Sequence, residues 1–171
     1  MRRIVESKSG KIALGGVLAA GSLTIMMLSC SLPAFRTGFI ALSGLFPMIG
    51  VLIAGRTVGY LCWITSGILG MFLLPDKRNA LLYLAFLGLY PVIKGQIESI
   101  RILVLEWIIK LLCFNLVFSV FWIFFQELFL TEGLILLKQY FGVVVLVGNI
   151  VFVCYDFLLS HVVALLCRRL H

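Results

Sequence analysis

Polar side chains recur at helical spacing inside two long apolar segments of the chain. Asn115, Ser119, Trp122 and Gln126 follow one another at intervals of four, three and four residues, which places them on one face of a helix. Asn149 lies at a comparable depth on a polar face of the last apolar segment. The two faces predict a substrate pocket lined by amide and aromatic groups, suited to a flat, neutral or weakly polar small molecule.

The same polar residues have a second interpretation, which the sequence leaves open. Asn and Ser side chains also hydrogen-bond across membrane helices and hold them together in the absence of any ligand. The pattern therefore favours two faces in contact, and it does not choose between a pocket and an interhelical lock.

Charged residues also occur within these two segments. Lys110 and Asp156 fall at similar depth near one membrane boundary, and Glu106 lies one helical turn from Lys110. Isolated charges are costly in hydrocarbon, so we expect Lys110 and Asp156 to form an ion pair, with Glu106 as a third member. A structural pair and a proton relay are both compatible with this chemistry.

The sequence lacks the patterns of common catalytic and metal sites. It contains no HExxH, no GxSxG and no phosphate-binding glycine loop. The cysteines form no CxxC motif, and neither histidine lies at ligand spacing from them. We therefore expect no enzyme, no metal and no cofactor. The cysteines are at positions 30, 62, 113, 154 and 167.

The elements that position these residues are long apolar blocks separated by short charged clusters. The chain is 63% hydrophobic and 12% charged, whereas soluble domains are about one quarter charged. A helix needs about 20 residues to cross ~30 Å of hydrocarbon. The sequence predicts an all-α fold, a single integral membrane domain over residues 1–171 with six transmembrane helices. The expected spans are about 12–32, 38–55, 57–75, 79–95, 102–126 and 138–167.

The net charge is +7. In a membrane protein, the distribution of these basic residues indicates how the chain is oriented in the bilayer and does not indicate nucleic-acid binding. With the N-terminus inside, nine Lys and Arg residues fall on the cytoplasmic side and four fall outside. Basic residues concentrate on the cytoplasmic side of membrane proteins. We therefore expect both termini in the cytoplasm and the lipid bilayer as the chain's first partner.

Small residues at four-residue spacing mark the first helix as a packing or docking face. Gly15 and Ala19, and likewise Gly16 and Ala20, would let another helix approach closely. The fourth expected span is the shortest, and Pro91 near its end predicts a kink because proline removes one backbone donor.

Several of these stretches resemble a known group of proteins. The small-residue first helix, the second span around Ala41–Pro47 and the Gly55 before the third span resemble the S components of energy-coupling factor transporters. The stretches 73–77 and 88–94 are similar to small bacterial membrane proteins near the YybS-like family. The resemblance covers roughly residues 11–120.

This resemblance implies a bacterial plasma-membrane protein that binds a vitamin-sized substrate. Its first helix, through Gly15/Ala19 or Gly16/Ala20, would dock on a transmembrane coupling subunit whose partner ATPases supply the energy. An alternative is a non-transporting scaffold for cell-envelope or cell-shape assembly, similar to the MreD family. The polar helix faces favour the transporter subunit, and the short outer loop Pro33–Thr37 favours the scaffold.

Overall fold

The computed structural model describes residues 7–100, 102–129 and 141–170. Within these ranges the regular structure is helical, and no strand occurs. The helices are α1 (Lys8–Ser31), α2 (Arg36–Ser43), α3 (Leu45–Ala54), α4 (Arg56–Leu73), α5 (Lys77–Leu82), α6 (Leu89–Ile97), α7 (Leu103–Phe129) and α8 (Phe141–Leu170).

Six helical segments of the described chain are long and apolar enough to cross a membrane, which confirms the predicted all-helical, six-span architecture. The second segment joins α2 to α3, and the fourth joins α5 to α6 through a π-helical turn. The segments are Lys8–Ser31, Arg36–Ala54, Arg56–Leu73, Lys77–Ile97, Leu103–Ile123 and Gly142–Leu166.

The chain divides into two compact units, Met1–Ile100 (unit 1) and Arg101–His171 (unit 2). Unit 1 contains the first four spans and unit 2 contains the last two. The single membrane domain stays a prediction, and each unit is described by itself below.

Short breaks in the sequence set the helix boundaries of unit 1. The Ser7 hydroxyl accepts a hydrogen bond from the Gly10 N–H at 3.0 Å and so caps the start of α1. Gly55 turns the chain between α3 and α4 with a φ of 97°, a conformation that glycine adopts without a Cβ clash. Asp76 caps α5 by accepting from the Arg78 N–H at 3.1 Å. The breaks at Gly55 and Asp76 therefore each join two spans by a tight turn.

The fourth span contains a π-helical segment, Tyr83–Leu87, between α5 and α6. The Gly88 N–H donates to the Tyr83 carbonyl at 2.8 Å, one residue further back than in an α-helix. The segment precedes Pro91, whose missing N–H motivated the predicted kink. The fourth span therefore departs from regular α-helix at a widened turn, which lies before the proline in the chain.

Close backbone packing occurs where this widened turn meets the second span. A Cβ added to Gly44 would overlap the Leu87 carbonyl oxygen. Glycine at position 44 therefore allows the α2–α3 junction to approach the π-helical segment.

The core of unit 1 consists of side chains from all four spans. Its fully buried members are Met26 from α1, Ile40 from α2 and Tyr83 from the fourth span, together with Leu74 and Ala80. This cluster fixes how the four spans pack.

In unit 2, α7 and α8 contact each other through aromatic and small side chains. The Phe114 and Phe152 rings stack with centroids 4.7 Å apart. A Cβ added to Gly148 would lie 3.5 Å from Phe114, in ordinary contact. The opposite faces carry exposed residues such as Leu116 and Ile150, at 58% and 56% exposure, as expected for helices that face lipid.

Candidate functional site

Lys110 is the centre of a buried charge cluster in unit 2. Its Nζ lies 2.8 Å from Glu106 Oε1 and 3.0 Å from Asp156 Oδ2. The Lys110 and Asp156 side chains are 2% and 3% exposed. The structure therefore brings together the two residues that the sequence pairs, with Glu106 as the expected third member.

An aromatic ring completes the surroundings of this ammonium group. Lys110 Nζ lies 5.4 Å from the centroid of Trp107, within the range of a cation–π contact. Two carboxylates and an aromatic face satisfy a buried ammonium group well, so the contacts of this cluster are those of a structural lock between α7 and α8.

Asn115 and Asn149 form a reciprocal pair between the same two helices. Each Nδ2 donates to the other residue's Oδ1, at 2.9 and 3.1 Å. Each Nδ2 also donates to a backbone carbonyl one turn earlier, Leu111 and Val145 respectively, at 2.8 Å. Both donors and the acceptor of each amide are thus engaged within the protein.

The remaining members of the predicted slot lie further along α7. Ser119 is exposed, and Trp122 is half-buried with its ring 6.3 Å from that of Phe118. Gln126 falls within α7, but its side chain lies outside the described residues. Asn115 is therefore engaged with α8, whereas Ser119 on the same helix is exposed and Trp122 packs beside Phe118.

Unit 1 contains a polar junction that no sequence pattern predicts. The Tyr83 hydroxyl is buried and lies 3.0 Å from Ser22 Oγ and 2.7 Å from Ser66 Oγ. Ser22 Oγ also lies 3.1 Å from the Ser43 carbonyl. Four spans therefore meet at this junction. Its only sequence signal is a tyrosine and three serines within apolar segments.

A second buried polar group lies at the start of α5. Asn79 Nδ2 is 2.8 Å from Ser29 Oγ and 3.4 Å from Cys30 Sγ. Its Oδ1 has no hydrogen-bond partner within the described part of the chain. The Asn79 amide thus links α1 to α5 through its nitrogen.

The proposed docking residues of α1 divide between two faces. Ala19 is 3% exposed, and a Cβ on Gly15 would lie 3.5 Å from Val58 of α4, so these two residues pack inside unit 1. Gly16 and Ala20 are exposed, and nothing among the described residues lies within 4 Å of a Cβ added to Gly16. The outward small face therefore consists of Gly16 and Ala20.

In the described ranges no group of three or more His, Cys, Asp and Glu residues could hold a metal ion. Comparison with family models, with curated proteins and with solved structures finds no match to this chain. Assignment of a function therefore depends on the contacts described above.

Proposed function

We propose that this multi-pass membrane protein is the substrate-binding subunit of a small-molecule transporter in the bacterial plasma membrane, similar to the S components of energy-coupling factor systems. The observation that supports it is the outward face of α1, where Gly16 and Ala20 are exposed and nothing among the described residues lies within 4 Å of a Cβ added to Gly16. Small residues allow the close backbone approach by which membrane helices associate.

The surroundings of this face agree with a helix-docking role. Ile12 and Val17 are 71% and 70% exposed and flank the small residues. A flat surface bordered by apolar side chains accepts a partner helix at short distance, and lipid fills the same surface in its absence. The proposed partner is a transmembrane coupling subunit associated with ATPases.

The docking face is tested by Gly16→Leu, with Gly38→Leu as the matched control. Gly38 is also exposed, and none of the described residues comes within 4 Å of a Cβ added there, so both variants add the same bulk in open surroundings. We expect Gly16→Leu to abolish co-purification with a coupling subunit and Gly38→Leu to retain it. Equal recovery of the partner by both variants would exclude α1 as the docking face.

A substrate would bind through the part of α7 beyond the asparagine pair. Asn115 and Asn149 are engaged with each other, which leaves Ser119, Trp122 and Gln126 as the proposed ligand-binding residues. An aromatic ring and a hydroxyl group on α7, with an amide residue four positions after Trp122 in the sequence, suit a flat, weakly polar, vitamin-sized molecule.

Ligand binding is tested by thermal unfolding of the detergent-purified protein with a panel of vitamins and metabolites. A ligand at one hundred times its dissociation constant should stabilise the folded state by ~2.7 kcal/mol. We expect Trp122→Ala to remove this stabilisation and Trp107→Ala, which alters the charge cluster instead, to retain it. A stabilisation that survives Trp122→Ala places the ligand elsewhere.

A membrane scaffold similar to the MreD family is the second candidate. The observation that favours it is that the asparagine pair and the charge cluster of unit 2 both make contacts expected of interhelical locks. A scaffold predicts no stabilisation by any member of the panel, and co-purification with cell-envelope assembly proteins instead of an ATPase.

A further inference from the structure

Three basic side chains lie at the end of unit 1 where α2 and α5 begin. Arg36, Lys77 and Arg78 form this group, which we name the basic rim. Arg36 Nη1 lies 2.8 Å from Asp76 Oδ2, and Arg78 Nε lies 3.8 Å from Asp76 Oδ1. Two guanidinium groups therefore surround a single carboxylate.

The charge of the rim exceeds what Asp76 neutralises. The other acidic residue in the described part of unit 1 is Glu98, which follows the last residue of α6. Its Oε1 lies 2.6 Å from Nζ of Lys94 in that helix, so it pairs there. Asp76 Oδ1 also accepts the Arg78 N–H, as the cap of α5. Asp76 thus positions the two arginines and leaves the rim with an excess of positive charge.

One donor in the rim also lacks an acceptor. Arg36 Nε is buried and has no hydrogen-bond partner among the described residues. An unsatisfied charged N–H is costly, and the Arg36 side chain as a whole is 35% exposed, so a rearrangement that turns its guanidinium toward an added anion is favoured. Arginine presents planar forks of donors that match phosphate oxygens.

Large apolar side chains lie exposed beside the rim. Phe35 precedes Arg36 in the chain and is 70% exposed, and Phe72 is 79% exposed. Lys77 Nζ donates to the Phe72 carbonyl at 3.3 Å, so this ammonium group lies next to the end of α4. Leu73 is 56% exposed. Apolar side chains next to basic groups fit a molecule with an acyl chain and a charged headgroup.

We propose that the basic rim binds the phosphate of an anionic phospholipid, whose acyl chains lie along Phe35, Phe72 and Leu73. The phosphodiester oxygens accept hydrogen bonds from Arg36 and Arg78, while Lys77 contributes charge. This site is independent of the proposed transport function, because it lies in unit 1 and involves neither the ligand-binding residues of α7 nor the docking face of α1.

The test compares lipids and variants in the delipidated, detergent-purified full chain. Thermal unfolding and native mass spectrometry are recorded with phosphatidylglycerol, phosphatidylcholine or soluble glycerol phosphate. We expect phosphatidylglycerol to bind and stabilise the protein more than phosphatidylcholine. Arg36→Gln and Arg78→Gln should each weaken its binding about fivefold, the loss expected for one basic residue near an anionic surface. Arg56→Gln, a substitution of an exposed arginine at the α3–α4 turn, is the matched control.

Arg78→Gln keeps the proposal testable if Arg36→Gln fails to fold, because Arg78 is 41% exposed and its contact with Asp76 is long. Equal phosphatidylglycerol affinity in Arg78→Gln and Arg56→Gln would overturn the proposal. Stabilisation by glycerol phosphate equal to that by phosphatidylglycerol would also overturn it, because the site would then bind a soluble anion without need of acyl chains.

Discussion

Lys110 carries the strongest prediction for a single residue, because its ammonium group contacts two carboxylates. Lys110→Met removes the ammonium group that Glu106 and Asp156 both contact and leaves two like charges near each other. Removal of one partner of a buried ion pair costs roughly 3–5 kcal/mol. Asp156→Asn leaves Lys110 paired with Glu106, so we expect a smaller loss. Thermal unfolding in detergent should therefore rank Lys110→Met as the less stable variant.

The double variant Lys110→Met/Asp156→Asn completes the cycle. It removes both charges of the interhelical pair, so we expect part of the stability lost in Lys110→Met to return. Lys8→Met, at an exposed position of α1, controls for the loss of a positive charge alone. Strictly additive effects of the two substitutions would contradict a direct coupling between α7 and α8.

The contact partner of a residue could be predicted where its charge and its depth in the membrane left few candidates. Lys110 and Asp156 have opposite charges and similar depth at ~1.5 Å per residue, so their pairing follows from few alternatives. The Tyr83 junction could not be predicted, because serine is tolerated anywhere in a membrane helix by bonding its own backbone. Ser22 and Tyr83 are 61 positions apart, and no periodic pattern connects them.

The helical elements supply a prediction at Gly44, where the second span meets the π-helical turn of the fourth. Gly44→Ala adds a methyl group that would overlap the Leu87 carbonyl, so the two spans must separate. We expect a destabilisation of about 1–3 kcal/mol, as for overpacking of a close-packed interior. Thermal unfolding in detergent measures it.

Gly38→Ala is the control for the loss of a glycine in the same span. A Cβ added to Gly38 meets no atom of the described part of the chain within 4 Å, and alanine is the better helix former, so this variant should be neutral or slightly stabilising. Equal destabilisation of both variants would contradict the close approach of Gly44 to Leu87.

The elements were more predictable than their irregularities. Apolar blocks of membrane-spanning length placed the six spans, because hydrocarbon forces backbone groups to bond within each helix. The π-helical segment Tyr83–Leu87 could not be predicted, because a hydrogen bond shifted by one residue leaves the composition and apolar character of a span unchanged. The sequence alone does not tell the inward Gly15/Ala19 face of α1 from the outward Gly16/Ala20 face. The distinction depends on the structure, in which Val58 of α4 lies next to Gly15.

At the scale of the whole molecule, the distribution of basic residues predicts the orientation of the chain in the bilayer. Nine Lys and Arg residues fall on the expected cytoplasmic side and four on the opposite side. The basic rim belongs to the minority side, so its positive charge opposes the usual bias. Measuring which side of the membrane the basic rim faces therefore tests the predicted orientation, which a count of the spans alone does not.

Single cysteines introduced at Lys77, Arg56 and Arg168 measure this orientation in a background that lacks the five native cysteines. All three positions are exposed, so an impermeant thiol reagent can reach each one from its own side of the membrane. With both termini in the cytoplasm, intact cells should label Lys77→Cys, while Arg56→Cys and Arg168→Cys should react only after permeabilisation. The permeabilised sample controls for reactivity at each site. Six spans place both termini on one side of the membrane and position 77 on the other. External labelling of Arg168→Cys together with protection of Lys77→Cys would therefore show the inverted orientation.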